Sequence, residues 1–313
     1  MYLGIDGGGT RLRLALCDDH FSVIHQREYG SANPSSIGKE AARSLIQTAI
    51  RETLAEASLN ESDIEAVGVG IAGVSVEHSA AWLEAVMRDV LTRPFIALSS
   101  DVEIALVGAH GQRRGVLVLS GTGSAVYAVN SAGQATMVGG WGYLLGDEGS
   151  GYWIGLQALR LFTRAADGHP LSPQEAQSRL PQRTAEQLQF NHPKELIGWL
   201  YGQPMTATAR VAGLAPLVLS EAEAGDMCAR AMLEDGAKQL AEMAQTAAAL
   251  LREPDLPIAF AGGMLAGSNV LSRSLCERLK LQEFPVSKYP PVVGAPYWQN
   301  NDWQNGLLRT TKS

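Results

Sequence analysis

The first sixteen residues, MYLGIDGGGTRLRLAL, constrain this chain more than any other stretch. A short apolar run ends in Asp6, and Gly7, Gly8, Gly9 and Thr10 follow. The chain then alternates, with Leu12, Leu14 and Leu16 on one side and Arg11, Arg13 and Ala15 on the other. A period of two is strand periodicity, so the glycine loop joins a strand to a strand. The dinucleotide fingerprint and the Walker loop both lead from a strand into a helix, and neither can be placed here. What remains is a tight turn free of side-chain bulk. Its backbone N–H groups can approach a phosphate, because glycine has no Cβ and tolerates positive φ. Thr10 adds a hydroxyl donor. Asp6 suits a hydrated Mg²⁺, which prefers carboxylate, phosphate and water oxygens. The same residues also suit a plain hairpin turn.

A second stretch repeats the pattern. GVLVLSGTGSAVYAVN, residues 115–130, places an apolar strand before Ser120, Gly121, Thr122, Gly123 and Ser124 and another strand after them. Two strand–glycine loop–strand units, one in each half, point to an internal duplication. Two such hairpins facing each other would hold a nucleotide's phosphates from both sides.

The 313 residues suffice for two domains, and 46% hydrophobic residues support large cores. A net charge of −7 argues against a nucleic-acid partner, which calls for a basic face. Cys17, Cys228 and Cys276 form no CxxC and no disulfide framework, and the six histidines form no metal-ligand spacing. A reduced, cytoplasmic protein is expected, with no signal peptide and no membrane span.

Along the first half the pattern reads ββ-β-α-β-α-β-α, a mixed sheet covered by helices. Residues 139–153, GGWGYLLGDEGSGYW, are too glycine-dense for regular helix and read as a pocket wall. Alanine-rich helices are expected over 207–251, a strand over 257–260 running into AGGM, and a turn at YPPVVGA, residues 289–295. The expected split gives an N-terminal domain over 1–114, to which 296–313 return, and a C-terminal domain over 115–295.

Asp101 closes the strand at 94–98 and opens a helix. Ligands of α/β sheets gather at the carboxyl ends of strands. A carboxylate there can accept a proton from a hydroxyl attacking a γ-phosphate, although Ser-Ser-Asp before a helix is also a good capping sequence. Asp147 reads either as a sugar-hydroxyl acceptor or as a turn aspartate. Asn33 reads either as a polar substrate contact or as an Asx turn.

GIDGGGT, LSGTGS and AGG, in this order, resemble the sugar kinase, actin and heat-shock-chaperone ATPase superfamily. Within it the chain resembles the BadF/BadG/BcrA/BcrD ATPase family. More narrowly it is similar to N-acetylglucosamine kinases of eukaryotic type, through GGWGYLLGDEGSGYWIG at 139–155, the SSD at 99–101 and the SANP loop at 31–34. The resemblance implies an α/β fold of two ribonuclease-H-like, actin-like ATPase domains, with mixed five-stranded sheets flanked by helices and ATP and sugar in the cleft between them. It implies that Gly8, Gly9, Thr10, Gly121 and Thr122 contact the phosphates, that Gly262 and Gly263 lie against the adenosine, and that Asp6 organises Mg²⁺. Asp101 would take the proton from the sugar's 6-hydroxyl. Asn33, Asp101, Gly123, Ser124, Gly140, Trp141, Gly142 and Asp147 would line the amino-sugar site. The partners implied are ATP, an amino sugar and a second copy of the chain as a homodimer.

Two positions depart from that pattern. Ala125 stands where such kinases commonly carry an asparagine touching the sugar, and Pro34 replaces a bulkier polar neighbour of Asn33. Glucosamine, N-acetylmuramic acid and N-acetylmannosamine are rival substrates. Other members of the broad family are ATP-driven activators with an iron–sulfur cluster, but the three cysteines form no obvious pair for one.

Overall fold

A computed structural model describes residues 1–9, 11–72 and 76–297, with backbone alone at 76–79, 204 and 205. Thr10 and residues 298–313 of the expected returning segment lie outside the described residues. The chain forms two compact units. The first holds residues 1–115, 131–133 and the described chain from 287 onward; the second holds 116–130 and 134–286.

The first unit runs β1 (Tyr2–Gly7), β2 (Arg11–Cys17), β3 (Val23–Gly30), α1 (Pro34–Ile37), α2 (Lys39–Glu56), β4 (Ala66–Ile71), α3 (Val76–Arg88), β5 (Phe95–Ser99) and α4 (Asp101–His110). Its five strands lie in the order β3-β2-β1-β4-β5. β1, β4 and β5 run parallel, and β2 and β3 pair antiparallel at one edge. Alternation decides the two faces. Leu3, Ile5, Val67, Val69 and Ile71 pack with Ile46, Ile50 and Leu54 of α2 and Leu83, Val86 and Met87 of α3. Each side chain of this size contributes about 1.5–3 kcal/mol when fully buried.

The in-between positions of β1 and β4 include Gly4, Gly68 and Gly70, and their contacts explain them. A Cβ at Gly4 would lie 1.8 Å from the Val292 carbonyl oxygen, and one at Gly68 would lie 2.1 Å from that of Ala295. At Gly70 a Cβ would meet the Ser100 oxygen at 2.6 Å and Ile104 at 2.8 Å. The backbone of 292–295 and the start of α4 therefore rest directly on the sheet.

Residues 291–297 are helical, which corrects the turn expected at YPPVVGA. Prolines are tolerated at a helix entry, where no intrahelical N–H bond is lost. Gly294 belongs to this segment because a Cβ there would sit 2.2 Å from the Ile104 oxygen of α4. Tyr297 closes the edge, with its ring 5.0 Å from that of Phe21 and 5.3 Å from that of Tyr289.

The second unit holds β6 (Gly115–Ser120), β7 (Ser124–Val129), β8 (Ala135–Gly139), α5 (Gly151–Ala166), α6 (Pro173–Gln177), α7 (Leu180–Leu188), α8 (Glu195–Tyr201), α9 (Pro204–Ala212), α10 (Ala215–Glu223), α11 (Met227–Leu250), β9 (Ile258–Ala261) and α12 (Val270–Arg278). The strand order is β8-β7-β6-β9, with β6 parallel to β9 and β7 antiparallel to β8. The sheet has four strands among the described residues, where five were expected. After α12, residues 279–286 carry no strand, and Pro285 within them has no N–H to give to a ladder. The core is centred on α11, whose Ala237, Ala241, Ala244 and Ala247 are buried with Val126 and Ala128 of β7 and Ile154 and Ala158 of α5. No helix among the described residues is long and apolar enough to cross a membrane.

Candidate active site

In the first unit the glycine loop joins β1 and β2 as a hairpin. Asp6 pairs with Arg13 and Gly7 with Leu12, and the Gly8 N–H donates to the Arg11 oxygen at 2.9 Å. None of Gly7, Gly8 and Gly9 uses a left-handed φ, so of the two expected reasons for them only the missing Cβ applies. Their use is steric. A Cβ at Gly7 would press on Ile71 at 3.0 Å, one at Gly8 would find nothing nearer than 3.8 Å, and one at Gly9 nothing within 4 Å. The outer part of the turn is open.

Asp6 and Asp101 come together at the carboxyl end of this sheet. Register places Asp6 beside Gly70, and Gly70 beside Ser99, two residues before Asp101. Burial pushes the Asp6 carboxyl up to about 7; Arg13, 4.0 Å away, holds it down, and the Asp101 charge adds to the rise. Burial also raises Asp101, against the backbone N–H groups of Val102 and of Asp101 itself, which favour its charge. The helix N-cap is Ser100, whose hydroxyl accepts from the Glu103 N–H at 3.2 Å, so Asp101 is the first residue of α4 and not its cap. The Asn33 side-chain oxygen accepts from the Ser35 N–H at 2.9 Å and caps α1, with Pro34 in the first turn. Its amide nitrogen is the part suited to reach a ligand.

In the second unit the 121–123 turn is braced. The Gly121 N–H donates to the Gly123 oxygen at 2.9 Å, and the Ser120 hydroxyl donates to the Gly149 oxygen at 2.8 Å. The Ser124 hydroxyl donates to the Glu148 oxygen at 2.7 Å. At the start of α5 the Gly151 and Tyr152 N–H groups donate to the Gly121 and Thr122 oxygens at 2.7 and 3.2 Å. This helix N-terminus therefore supports the turn and does not itself offer those donors to an anion.

Asp147 ties the turn to the loop at 139–149. Its carboxylate accepts from the Ser124 N–H at 3.3 Å and also from the Gly142 N–H. A Cβ at Gly123 would lie 2.8 Å from it. Asp147 is buried in the left-handed region at φ 61, a strained position for a residue with a side chain. Burial raises its pKa, the Ser124 N–H lowers it, the Glu148 charge raises it and the Gly142 N–H lowers it.

Gly262 has φ 92, and a Cβ there would strike the Ser120 oxygen at 2.2 Å; Gly263 beside it is open. Gly140, at φ 73, sits next to Ala125, whose Cβ would be 3.3 Å from a Cβ placed there. Trp141 is 76% exposed and Leu144 and Leu145 are more so, so the middle of this loop stands off the core, while Gly149 lies against Gly236 and Leu240 of α11.

The described residues thus collect Asp6, Gly8, Gly9, Asn33 and Asp101 in the first unit. Gly121, Thr122, Gly123, Ser124, Gly140, Trp141, Gly142, Asp147, Gly262 and Gly263 lie in the second. Sequence reasoning overlooked Arg13 and Glu103. The alternation of β2 placed Arg13 opposite the apolar side, and the hairpin register then sets it beside Asp6. Glu103 looked like an ordinary first-turn helix acid.

No group of three or more His, Cys, Asp or Glu capable of holding a metal occurs among the described residues. Asp6 fits Mg²⁺ in another way. Mg²⁺ on a nucleotide keeps most of its waters and needs one or two protein carboxylates, and Asp6 is a desolvated carboxylate beside a second one. The cysteines are free, Cys17 in the first unit and Cys228 and Cys276 in the second. A cavity of 320 Å³ lies elsewhere, between α11 and α12, and is lined by Arg230, Glu234, Arg273 and Glu277 among others.

The chain is similar to known proteins over most of its length. It is 28% identical over 271 residues to an N-acetylmuramic acid/N-acetylglucosamine kinase of Clostridium acetobutylicum, covering 86% of this chain and 87% of that one. It is 28% identical over 297 residues to an N-acetyl-D-glucosamine kinase of Dictyostelium discoideum, covering 91% of each. A solved chain from Chromobacterium violaceum superposes with a TM-score of 0.75 at 29% identity, covering 94% of this chain and 96% of that one. The model of the BadF/BadG/BcrA/BcrD ATPase family matches residues 3–298, and the chain belongs to that family.

Proposed function

We propose that this protein is an ATP-dependent kinase that phosphorylates the 6-hydroxyl of N-acetylglucosamine, giving N-acetylglucosamine 6-phosphate and ADP. The observation that carries the reading is Asp101, set at the head of α4 at the carboxyl end of a parallel sheet and within electrostatic reach of Asp6. The relatives named for N-acetylglucosamine supply the substrate.

Phosphoryl transfer needs positioning, charge neutralisation and one base. Asp101 in its ionised form accepts the proton of the 6-hydroxyl as that oxygen bonds to the γ-phosphorus and the bond to the ADP oxygen breaks. Burial makes its carboxylate a better proton acceptor than a solvated one. Asp6 would hold the Mg²⁺, which supplies positive charge to the phosphate oxygens. Gly8 and Gly9 leave room for the phosphates, with Thr10 beside them in the sequence, and Gly121 and Thr122 present a second turn. Gly262 and Gly263 suit the adenosine. Asn33, Gly123, Ser124, Gly140, Trp141, Gly142 and Asp147 suit the sugar, with the Asp147 carboxylate accepting from its hydroxyls. A cytoplasmic homodimer belongs to the same reading, and sizing chromatography with light scattering tests the dimer.

The test of function is ADP release measured across N-acetylglucosamine, glucosamine, N-acetylmuramic acid, N-acetylmannosamine and glucose. Turnover is expected to be fastest on N-acetylglucosamine, and absence of turnover on every amino sugar rejects the reading. Turnover on N-acetylmuramic acid as well would match the wider name of the Clostridium relative. Asp101→Ala is expected to lower kcat by about a thousandfold while nucleotide binding persists. Unchanged turnover removes Asp101 from its role.

A further inference from the structure

The carboxylate of Glu103 is buried two residues beyond Asp101. It accepts from the Ser99 hydroxyl, at the end of β5, at 3.0 Å, and from Nε of Arg113 at 2.6 Å. Nη1 of Arg113 in turn donates to the Gly133 oxygen at 3.0 Å. The Glu103 N–H is held by Ser100, and Ile104, the next residue, packs where Gly70 lacks a side chain. Capping by Ser100 keeps Asp101 helical but does not fix how the first turn of α4 is rotated against the sheet. Beside the packing of Ile104, the Glu103 carboxylate supplies the polar fix nearest Asp101: rotating the first turn would break its bonds to Ser99 and Arg113 together.

From this geometry we infer that Glu103, anchored by Arg113, is a positioning residue that sets the direction in which the Asp101 carboxylate points. The inference rests on the kinase reading above. A buried ion pair is weak evidence of a stabilising role, so a purely structural part is the rival account. The two differ in what they move. A misdirected base slows the chemical step, on the order of a hundredfold for an ångström of displacement, and leaves substrate binding alone.

The experiment uses the full chain with Glu103→Gln, Arg113→Met, the double variant, and Arg273→Gln as a control in a separate exposed ion pair. Glu103→Gln keeps the shape and loses the charge. Its kcat is expected to fall at least tenfold, with KM for ATP and for the sugar within about twofold of wild type. The double variant is expected to be no slower than its slower parent, because both changes break one linkage. The control is expected to match wild type. A kcat within twofold of wild type, a change confined to KM, or a double variant as slow as the product of the singles would each overturn the inference. If Glu103→Gln does not fold, Arg113→Met, changed at a 29% exposed side chain, carries the same comparison. Hydrogen exchange at the Asp101 and Val102 amides is read in parallel without substrate. Faster exchange in Glu103→Gln is expected, and unchanged exchange overturns the inference even if the wild type phosphorylates no sugar. That last result would reject the kinase reading separately.

Discussion

The two glycine turns look like copies in sequence and differ in structure. Among its described residues, the turn at 7–11 has one internal backbone bond, from Gly8 to Arg11, and open space around Gly8 and Gly9. The turn at 120–124 is bonded from two directions, by the 147–149 segment and by the start of α5, and Gly262 packs closely against Ser120 on a third. One turn leaves open space around it. The other is held in place by its neighbours. Two turns of similar sequence thus differ, one open and one preorganised.

Substitution can break or sharpen this contrast. Gly262→Ala combines a left-handed φ with a 2.2 Å collision and is expected to cost about 3 kcal/mol, roughly 6–12 °C in Tm. Calorimetry showing an undisturbed Tm would mean the second turn is not braced as described. Asp147→Ala strands the Ser124 and Gly142 N–H groups and is expected to cost about 2 kcal/mol in denaturant unfolding.

Asp6→Asn works in the opposite direction in protein freed of nucleotide and metal. With its pKa raised to about 7, the folded state holds a proton on Asp6 that the unfolded chain has already released. The stability this confers is full below about pH 4 and is lost progressively as pH rises from there through 7. Asparagine mimics the protonated form, so the variant's advantage over wild type is expected to grow by about 2 kcal/mol between pH 5 and pH 8, and the two converge only near pH 4 and below. Urea midpoints at the two pH values check this, and an equal difference at both would show that Asp6 does not titrate as described.

Gly9→Ala has the smallest expected effect on folding, within about 0.5 kcal/mol, because its Cβ meets nothing. Its effect is on the ligand, with KM for ATP rising about tenfold. If Gly9→Ala destabilised the fold as much as Gly262→Ala does, the contrast between the turns would be lost.

Much of the fold was legible because period two is so clear in residues 11–16 and the apolar runs before each turn are short and bounded. The glycine spacing, the Ser-Ser-Asp segment and the dense 139–153 loop carried the candidate site. What escaped had tertiary causes. Residues 135–139 form β8, an edge strand with no buried residue whose pairing with β7 cannot be read from its own composition. YPPVVGA has the composition of a turn, and its helical form depends on Gly4, Gly68 and Gly108 making room on the sheet and α4. Glu103 differs from a surface helix acid through Ser99 and Arg113, which no local pattern connects to it. Of the two reasons expected for the first-turn glycines, the missing Cβ applies and the left-handed φ does not.

The bare glycine floor under residues 292–295 has a consequence for the order of assembly during synthesis. The first unit starts to emerge from the ribosome before the second, but part of one face of its sheet stays uncovered until a segment about 220 residues beyond Gly68 has been made. The second unit has all its residues by 286. The half that is translated first is the half completed last, and until then its uncovered strands are the part of the nascent chain most in need of shelter.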